Sequence, residues 1–310
     1  MQSLKRLSVV ALVLAFTQIV FGAIVRITGS GLGCGDHWPR CNGEWFPPHD
    51  RIDLIIEITH RYIALGLSLV ILALVIAAFL RRDEPGVGGA GGVLRPAIIA
   101  GVLVVAAALL GAATVKMALN PFVIAAHLTI AMSLLATLAV TLARAGGLGA
   151  GADLDGATPA TYRAARIAVV LAIATLIMGA LTANVPDAAI ACGGFPWCRS
   201  VNAGGMPLVI QVTHRVIAFL LFGHLWGIAA AVGRRKEPRI IVTIARIAFF
   251  SAVAQVLVAA AMIEMHFPAV FRSLHQAVGT FVWLAVVSLA IVSARATRDV
   301  GFRSGVRAAA

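Results

Sequence analysis

Two short segments carry most of the reactive side chains. Glu57-Ile58-Thr59-His60-Arg61 returns as Gln211-Val212-Thr213-His214-Arg215, and each opens a long apolar run. Each has a second histidine further on, His127 for the first and His275 for the second. His60 and His214 fall six residues past Leu54 and Leu208, and His127 falls five past Phe122, where their apolar runs begin. At about 1.5 Å per residue these positions lie roughly 8–9 Å into their helices. His275 is also close to the start of its run, so four imidazoles share one depth on one side. Ionisable groups inside apolar spans are costly and mark function. Two histidines on facing helices at matched depth suit a flat cofactor with two axial positions, which is haem. The pattern predicts two bis-histidine haem sites. The competing reading, a proton relay, has no need of pairs at equal depth.

The neighbours of these histidines differ between the copies. Glu57 and His60 are three apart and share a helix face, which puts a carboxylate beside the first pocket. The second copy has Gln211 there, an amide that hydrogen-bonds but does not exchange protons at working pH. If one pocket does acid–base chemistry, it is the first, with Glu57 as the catalytic candidate. The plainer role for Glu57 is to orient His60 or favour the helix start. Arg61 and Arg215 point about 100° round the helix from their histidines. Either they bind haem propionates or they snorkel to the interface; Arg26 is a further propionate candidate. His37 and His49 lie in a polar loop. His266 sits beside Glu264, near the expected mouth of the second pocket. His224 is too deep along its span to pair. These four, with Lys116 and Arg246, take no assigned role.

The elements that position these groups are membrane helices. The 310 residues are 60% hydrophobic and 12% charged, with a mean hydropathy of +0.96; a soluble domain carries about 25% charged residues. Runs of roughly 20 apolar residues span a bilayer. They occur at about Leu7–Val25, Leu54–Leu80, Pro96–Val115, Phe122–Leu142, Ile167–Ala183, Leu208–Val232, Ile240–Ile263 and Leu274–Val292. Their length favours helices over barrel strands. The first follows Lys5 and Arg6, but its apolar core is too long for a signal peptide and reads as a retained helix. With eight spans, 16 of the 25 basic residues fall on the side of both termini and 6 on the other. The positive-inside rule then puts both termini in the cytoplasm of a multi-pass plasma-membrane protein. The net charge of +12 reflects topology and attraction to anionic lipid, not a nucleic-acid footprint.

Cys34 and Cys41 fall in the first outer loop, and Cys192 and Cys198 in the fifth. Close pairs in an oxidising compartment read as disulfides, with free thiols as the alternative. Zinc is disfavoured because no C-x-x-C spacing is present. Repeat offsets of 157 or 158 relate Gly22 to Gly179 and the cysteines to one another; offsets of 154 and 148 relate His60 to His214 and His127 to His275. Four spans per half keep the orientation, so the halves are parallel repeats. The expected architecture is all-α: eight transmembrane helices in two tandem four-helix bundles related by a pseudo-two-fold axis. The first bundle covers 1–145 and the second 166–310. A Gly/Ala-rich cytoplasmic linker, 146–165, joins them.

At this point the residues resemble a known family. Gly22-Ala-Ile-Val-Arg-Ile-Thr-Gly-Ser-Gly-Leu-Gly-Cys34-Gly-Asp-His-Trp-Pro-Arg-Cys41, followed by Glu57-x-x-His60-Arg61 and Gln211-x-x-His214-Arg215, is similar to haem A synthases of the bacterial type with cysteine pairs in the outer loops. The resemblance implies oxidation of the C8 methyl of haem O to the formyl of haem A, for terminal oxidases. It implies that haem O binds between His60 and His127 and haem b between His214 and His275, the latter relaying electrons from an unidentified donor. It implies that Glu57 takes part, that the cysteines are bonded or redox-active, and that the enzyme making haem O is a partner. Two rival classes remain. A two-haem electron-transfer cytochrome favours haems near opposite membrane faces, whereas all four histidines cluster near one. A haem transporter has no use for Glu57.

Overall fold

The computed structural model describes residues 1–35 and 40–308, with side chains described through residue 297. His37 lies outside the described residues. The helices are α1 (Gln2–Ile27), α2 (Ile52–Leu80), α3 (Leu94–Lys116), α4 (Pro121–Arg144), α5 (Pro159–Asn184), α6 (Gly205–Arg234), α7 (Arg239–Glu264) and α8 (Ala269–Ala308). All eight are long and apolar enough to cross a membrane. Even the shortest, α3 with 23 residues, extends about 35 Å at 1.5 Å per residue, more than the roughly 30 Å hydrocarbon core. The chain is an all-α, multi-pass membrane protein.

Hydrocarbon offers no water to a stray polar group, so the polar residues of the spans turn inward or back onto their own helix. On α4 the hydroxyls of Thr129, Ser133, Thr137 and Thr141 each donate to the carbonyl four residues earlier, at 2.7–2.9 Å. Small residues at helical spacing let the helices close up. Ala11 and Ala15 on α1, Ala165, Ala168 and Ala172 on α5, and Ala245, Ala248 and Ala252 on α7 are all buried.

The helices close into two rings. In the first, α1 meets α2 and α4, and α3 meets α2 and α4; in the second, α5 meets α6 and α8, and α7 meets α6 and α8. The bundles join where α4 meets α5, α1 meets α8, and α4 meets α8. Exchanging α1 with α5 and α4 with α8 maps this interface onto itself, which places α4 and α8 beside the pseudo-two-fold axis. There the Trp283 indole N–H donates to the Met132 carbonyl at 2.9 Å. The span of α8 is 56% buried against at most 33% for any other, so α8 is the central helix.

Two details depart from the sequence reading. The helix α5 begins at Pro159, inside the stretch read as linker. Proline in the first turn suits a helix start. The Thr158 and Thr161 hydroxyls donate to the buried Glu237 carboxylate at 2.6 and 2.5 Å, a negative charge set at the positive end of the helix. The loop between α5 and α6 holds a two-residue antiparallel ladder, β1 (Cys192–Gly193) on β2 (Ser200–Val201), too short for any periodicity to announce it.

The central position of α8 has a measurable consequence. Leu289→Ala, at a fully buried α8 site, should lower stability by about 2–5 kcal/mol. Leu72→Ala, where the side chain faces outward, should cost less than about 1 kcal/mol. Denaturation in mixed micelles separates them, and equal losses would remove α8 from the centre.

Candidate functional site

The paired histidine helices, α2 with α4 and α6 with α8, stand diagonally across their rings, and a cavity lies between each pair. The first cavity, about 290 Å³, is lined by Glu57, His60, Arg61, His127, Arg26 and Lys116, among others. The second, about 520 Å³, is lined by Gln211, His214, Arg215, His275, Arg26 and Arg272, among others. The structure thus gathers each predicted ligand pair into one cavity and puts Glu57 in the first and Gln211 in the second. Arg26 borders both, its guanidinium donating to the Ala183 carbonyl of α5 at 3.2 Å.

Space for the imidazoles comes from glycine. A Cβ on Gly22 of α1 would lie 2.9 Å from Cε1 of His60, and one on Gly179 of α5 would lie 2.9 Å from Cε1 of His214. The two glycines are repeat-related, so the same close approach is built twice. Three of the four rings also have a polar neighbour. Nδ1 of His214 lies 3.1 Å from the Thr175 carbonyl; a proton shared there leaves Nε2 as the lone-pair nitrogen, the usual way a ligand histidine is oriented. The Gln18 amide lies 3.2 Å from Nε2 of His60. The Gln255 amide lies 3.1 Å from Nδ1 of His275.

The Glu57–Arg61 pair explains how the loop before α2 is held. Both side chains are buried and meet at 2.6 Å. The other Glu57 oxygen accepts the Cys34 N–H at 2.8 Å. Arg61 also donates to the Arg40 and Gly35 carbonyls at 2.8 and 2.7 Å. The second half repeats this plan in neutral form. Gln211 accepts the Cys192 N–H and donates to the Ala189 carbonyl at 2.7 Å. Arg215 donates to the Cys192 and Gly194 carbonyls at 2.8 and 2.9 Å. The loops are closed by the disulfides Cys34–Cys41 and Cys192–Cys198. In the first loop the cysteines pack on Leu54 and Ile58 of α2. The arginines therefore brace the loop backbone, a role that neither the propionate nor the snorkelling reading described.

The remaining candidates separate cleanly. His266 lines the second cavity and Lys116 the first. Nε2 of His224 lies 2.9 Å from the Ala164 carbonyl, away from both cavities. His49 is exposed. Arg246 lines a separate open groove with Phe16 and Phe250. Gln18 and Gln255 escaped notice in the sequence; the available signal was an amide inside an apolar span, which is expensive unless partnered.

The residues fit a flat, two-ligand group. Among the described residues no three histidine, cysteine or acidic side chains converge on a metal site; each cavity offers a pair of histidines. Nδ1 of His60, Nδ1 of His127, Oε1 of Gln18 and Oε1 of Gln255 are buried without a hydrogen-bond partner. Buried polar atoms are seldom left this way; these four belong to residues at the two cavities or beside their histidines, while Glu237 Oε2, Ser293 Oγ and Arg295 Nη1 are unpartnered elsewhere.

Eight spanning helices in two pseudo-symmetric bundles, each enclosing a histidine-paired cavity, define a two-site membrane protein. Residues 5–287 match the model of the cytochrome oxidase assembly protein family, COX15-CtaA, and the chain belongs to that family. It is 29% identical over 245 residues to a protein of Bacillus licheniformis named heme A synthase, covering 76% of this chain and 77% of the relative. A heme A synthase of Geobacillus kaustophilus is 30% identical over 230 residues, 71% of this chain and 68% of the relative. One of Staphylococcus haemolyticus is 41% identical over 133 residues, 41% of this chain and 40% of the relative.

The bracing contacts predict an order of damage. Arg61→Ala leaves the buried Glu57 charge unpaired and should destabilise by about 3–5 kcal/mol. Glu57→Gln keeps an acceptor for the Cys34 N–H, as Gln211 does in the second half, and should cost clearly less. Limited proteolysis of the loop before α2 and denaturation in detergent check this. Equal protease sensitivity of Arg61→Ala and the parent would exclude the bracing role.

Proposed function

We propose that this chain is a haem A synthase that oxidises the C8 methyl of haem O to the formyl of haem A. The observation that carries the reading is the unequal pair of cavities: one histidine frame built twice, with the carboxylate of Glu57 in the first and the amide of Gln211 in the second. In this reading the first bundle, 1–145, is the catalytic half, and the second, from Pro159 onward, holds haem b. His60 and His127 hold the substrate haem; His214 and His275 hold haem b. Bound haem supplies the redox chemistry.

The chain's own groups do the rest. Glu57 is fixed by the Cys34 N–H and by Arg61, so it faces the cavity without rotating freely. Its carboxylate accepts a proton released at the methyl, or stabilises positive charge developing there. Arg26 and Lys116 at the first cavity, and Arg26 and Arg272 at the second, supply donors for the propionates. Arg61 and Arg215 each keep guanidinium contacts on the loops and lie at the cavity wall beside them. The cysteine loops face outward and both termini lie in the cytoplasm, supported by the excess of basic residues at the terminal side. The enzyme that makes haem O is the natural supplier of the substrate.

The test is chemical. Protein purified from cells that make haem O should yield haem A or its hydroxylated precursor beside haem b. Glu57→Gln should hold haem O and haem b but form no oxidised product. Unmodified haem b alone, with haem O available, would replace this reading by a carrier or transporter. Full turnover by Glu57→Gln would remove the carboxylate from the chemistry.

A further inference from the structure

Both cavities descend from the histidines toward the middle of the membrane, and they differ on one side. At the 154-residue offset that relates His60 to His214, Ser68 of α2 stands where Phe222 stands in α6. At the 148-residue offset that relates His127 to His275, Ala108 and Gly111 of α3 stand where Val256 and Ala259 stand in α7. All six line their own cavity. Each of these three exchanges is from a smaller side chain in the first half to a larger one in the second, while Val104 and Ala252 at the same offset run the other way. Among the described residues no aromatic side chain lines the first cavity, whereas Phe195, Phe219, Phe222, Phe267 and Trp283 line the second. Phe222 packs on Phe249 of α7, with ring centroids 5.7 Å apart, and so fills the α6–α7 seam.

The α2–α3 seam has no such plug, and it borders the lipid. Ser68 lies one turn before Leu72, which is 54% exposed on the outer face of α2. Ala112 lines the first cavity yet lies two turns along α3 from Val105, which is 58% exposed. Ala108 and Ala112 are themselves exposed, while no cavity-lining residue of α7 is. The wall of the first cavity therefore runs into the lipid-facing surface between α2 and α3.

We propose that the α2–α3 seam seats the long isoprenoid tail of the substrate haem, and that Phe222 closes the matching seam and keeps a tailed haem out of the second cavity. This rests on reading the first cavity as the substrate site. The first cavity has the smaller enclosed volume, about 290 against 520 Å³, but a tail lying in an open seam continues into the bilayer and needs no enclosed room. Lipid is as apolar as the tail, so little is gained by moving it from one to the other. The selectivity is steric, an obstacle against the wrong ligand rather than an added attraction for the right one.

The experiment exchanges the two positions and counts pigments. Protein is purified from cells that make both haem b and haem O, and the extracted haems are quantified per chain by chromatography. The parent should hold one tailed haem, O or A, and one haem b. Ser68→Phe should lower the tailed pigment about tenfold or more, as overpacking a fitted site does, with haem b unchanged. Phe222→Ser should admit tailed pigment to the second cavity and raise the tailed-to-b ratio above one, a gain that misfolding does not produce. A full complement of tailed pigment in Ser68→Phe, or an unchanged ratio in Phe222→Ser, overturns the assignment. A parent protein holding haem b alone overturns the substrate reading beneath it, and that result is visible before any variant is made.

Discussion

Hydrocarbon leaves no polar group unattended without cost, and the rest of this structure follows from that constraint. The hydroxyls of α4 turn back onto their own helix. Glu57 and Arg61 go inside together. The Cys34 and Cys192 N–H groups each find a side-chain oxygen on the following helix. The unpartnered buried atoms include nitrogens of His60 and His127 and oxygens of Gln18 and Gln255, beside Glu237 Oε2, Ser293 Oγ and Arg295 Nη1 elsewhere. The first four belong to residues at the two cavities.

The duplicated frame makes the molecule its own control. Gly22 and Gly179 make the same room for an imidazole, and Arg61 and Arg215 brace the same kind of loop. Differences set on a common frame carry more meaning than features of either half alone. The carboxylate at 57 against the amide at 211 separates a pocket able to exchange protons from one that only hydrogen-bonds. The hydroxyl at 68 against the phenyl ring at 222 separates a seam open to lipid from one that is filled. Both differences sit on cavity walls rather than on the alanine-rich contacts between helices.

Much of this was legible in the sequence. Apolar runs of spanning length fixed the number of helices, and repeat offsets paired the halves. Depth along the runs brought His60 to His127's level and His214 to His275's. Helical spacing set Glu57 beside His60. What escaped was whatever depends on how the loops fold back. Arg61 and Arg215 donate to carbonyls of segments with no periodicity, so no pattern announced it. Lys116, the last residue of α3, and His266, in the turn after α7, line the cavities without belonging to any motif. The start of α5 was placed too late, since Pro159 and Thr158 lie in a Gly/Ala-rich stretch whose composition argued for a linker.

The residue after each inner histidine reaches across the axis. Leu128 follows His127 and lines the second cavity as well as the first; Gln276 follows His275 and lines the first as well as the second. Each chamber thus borrows part of its wall from the other half, and Gly179, Ala180 and Ala183 of α5 are common to both. A lone four-helix unit would have a chamber with one side missing, and only a second copy set across a two-fold axis would restore it. The tandem chain is therefore equivalent to a dimer made permanent. The covalent connection frees each half to change its own lining while the shared partition keeps both in register.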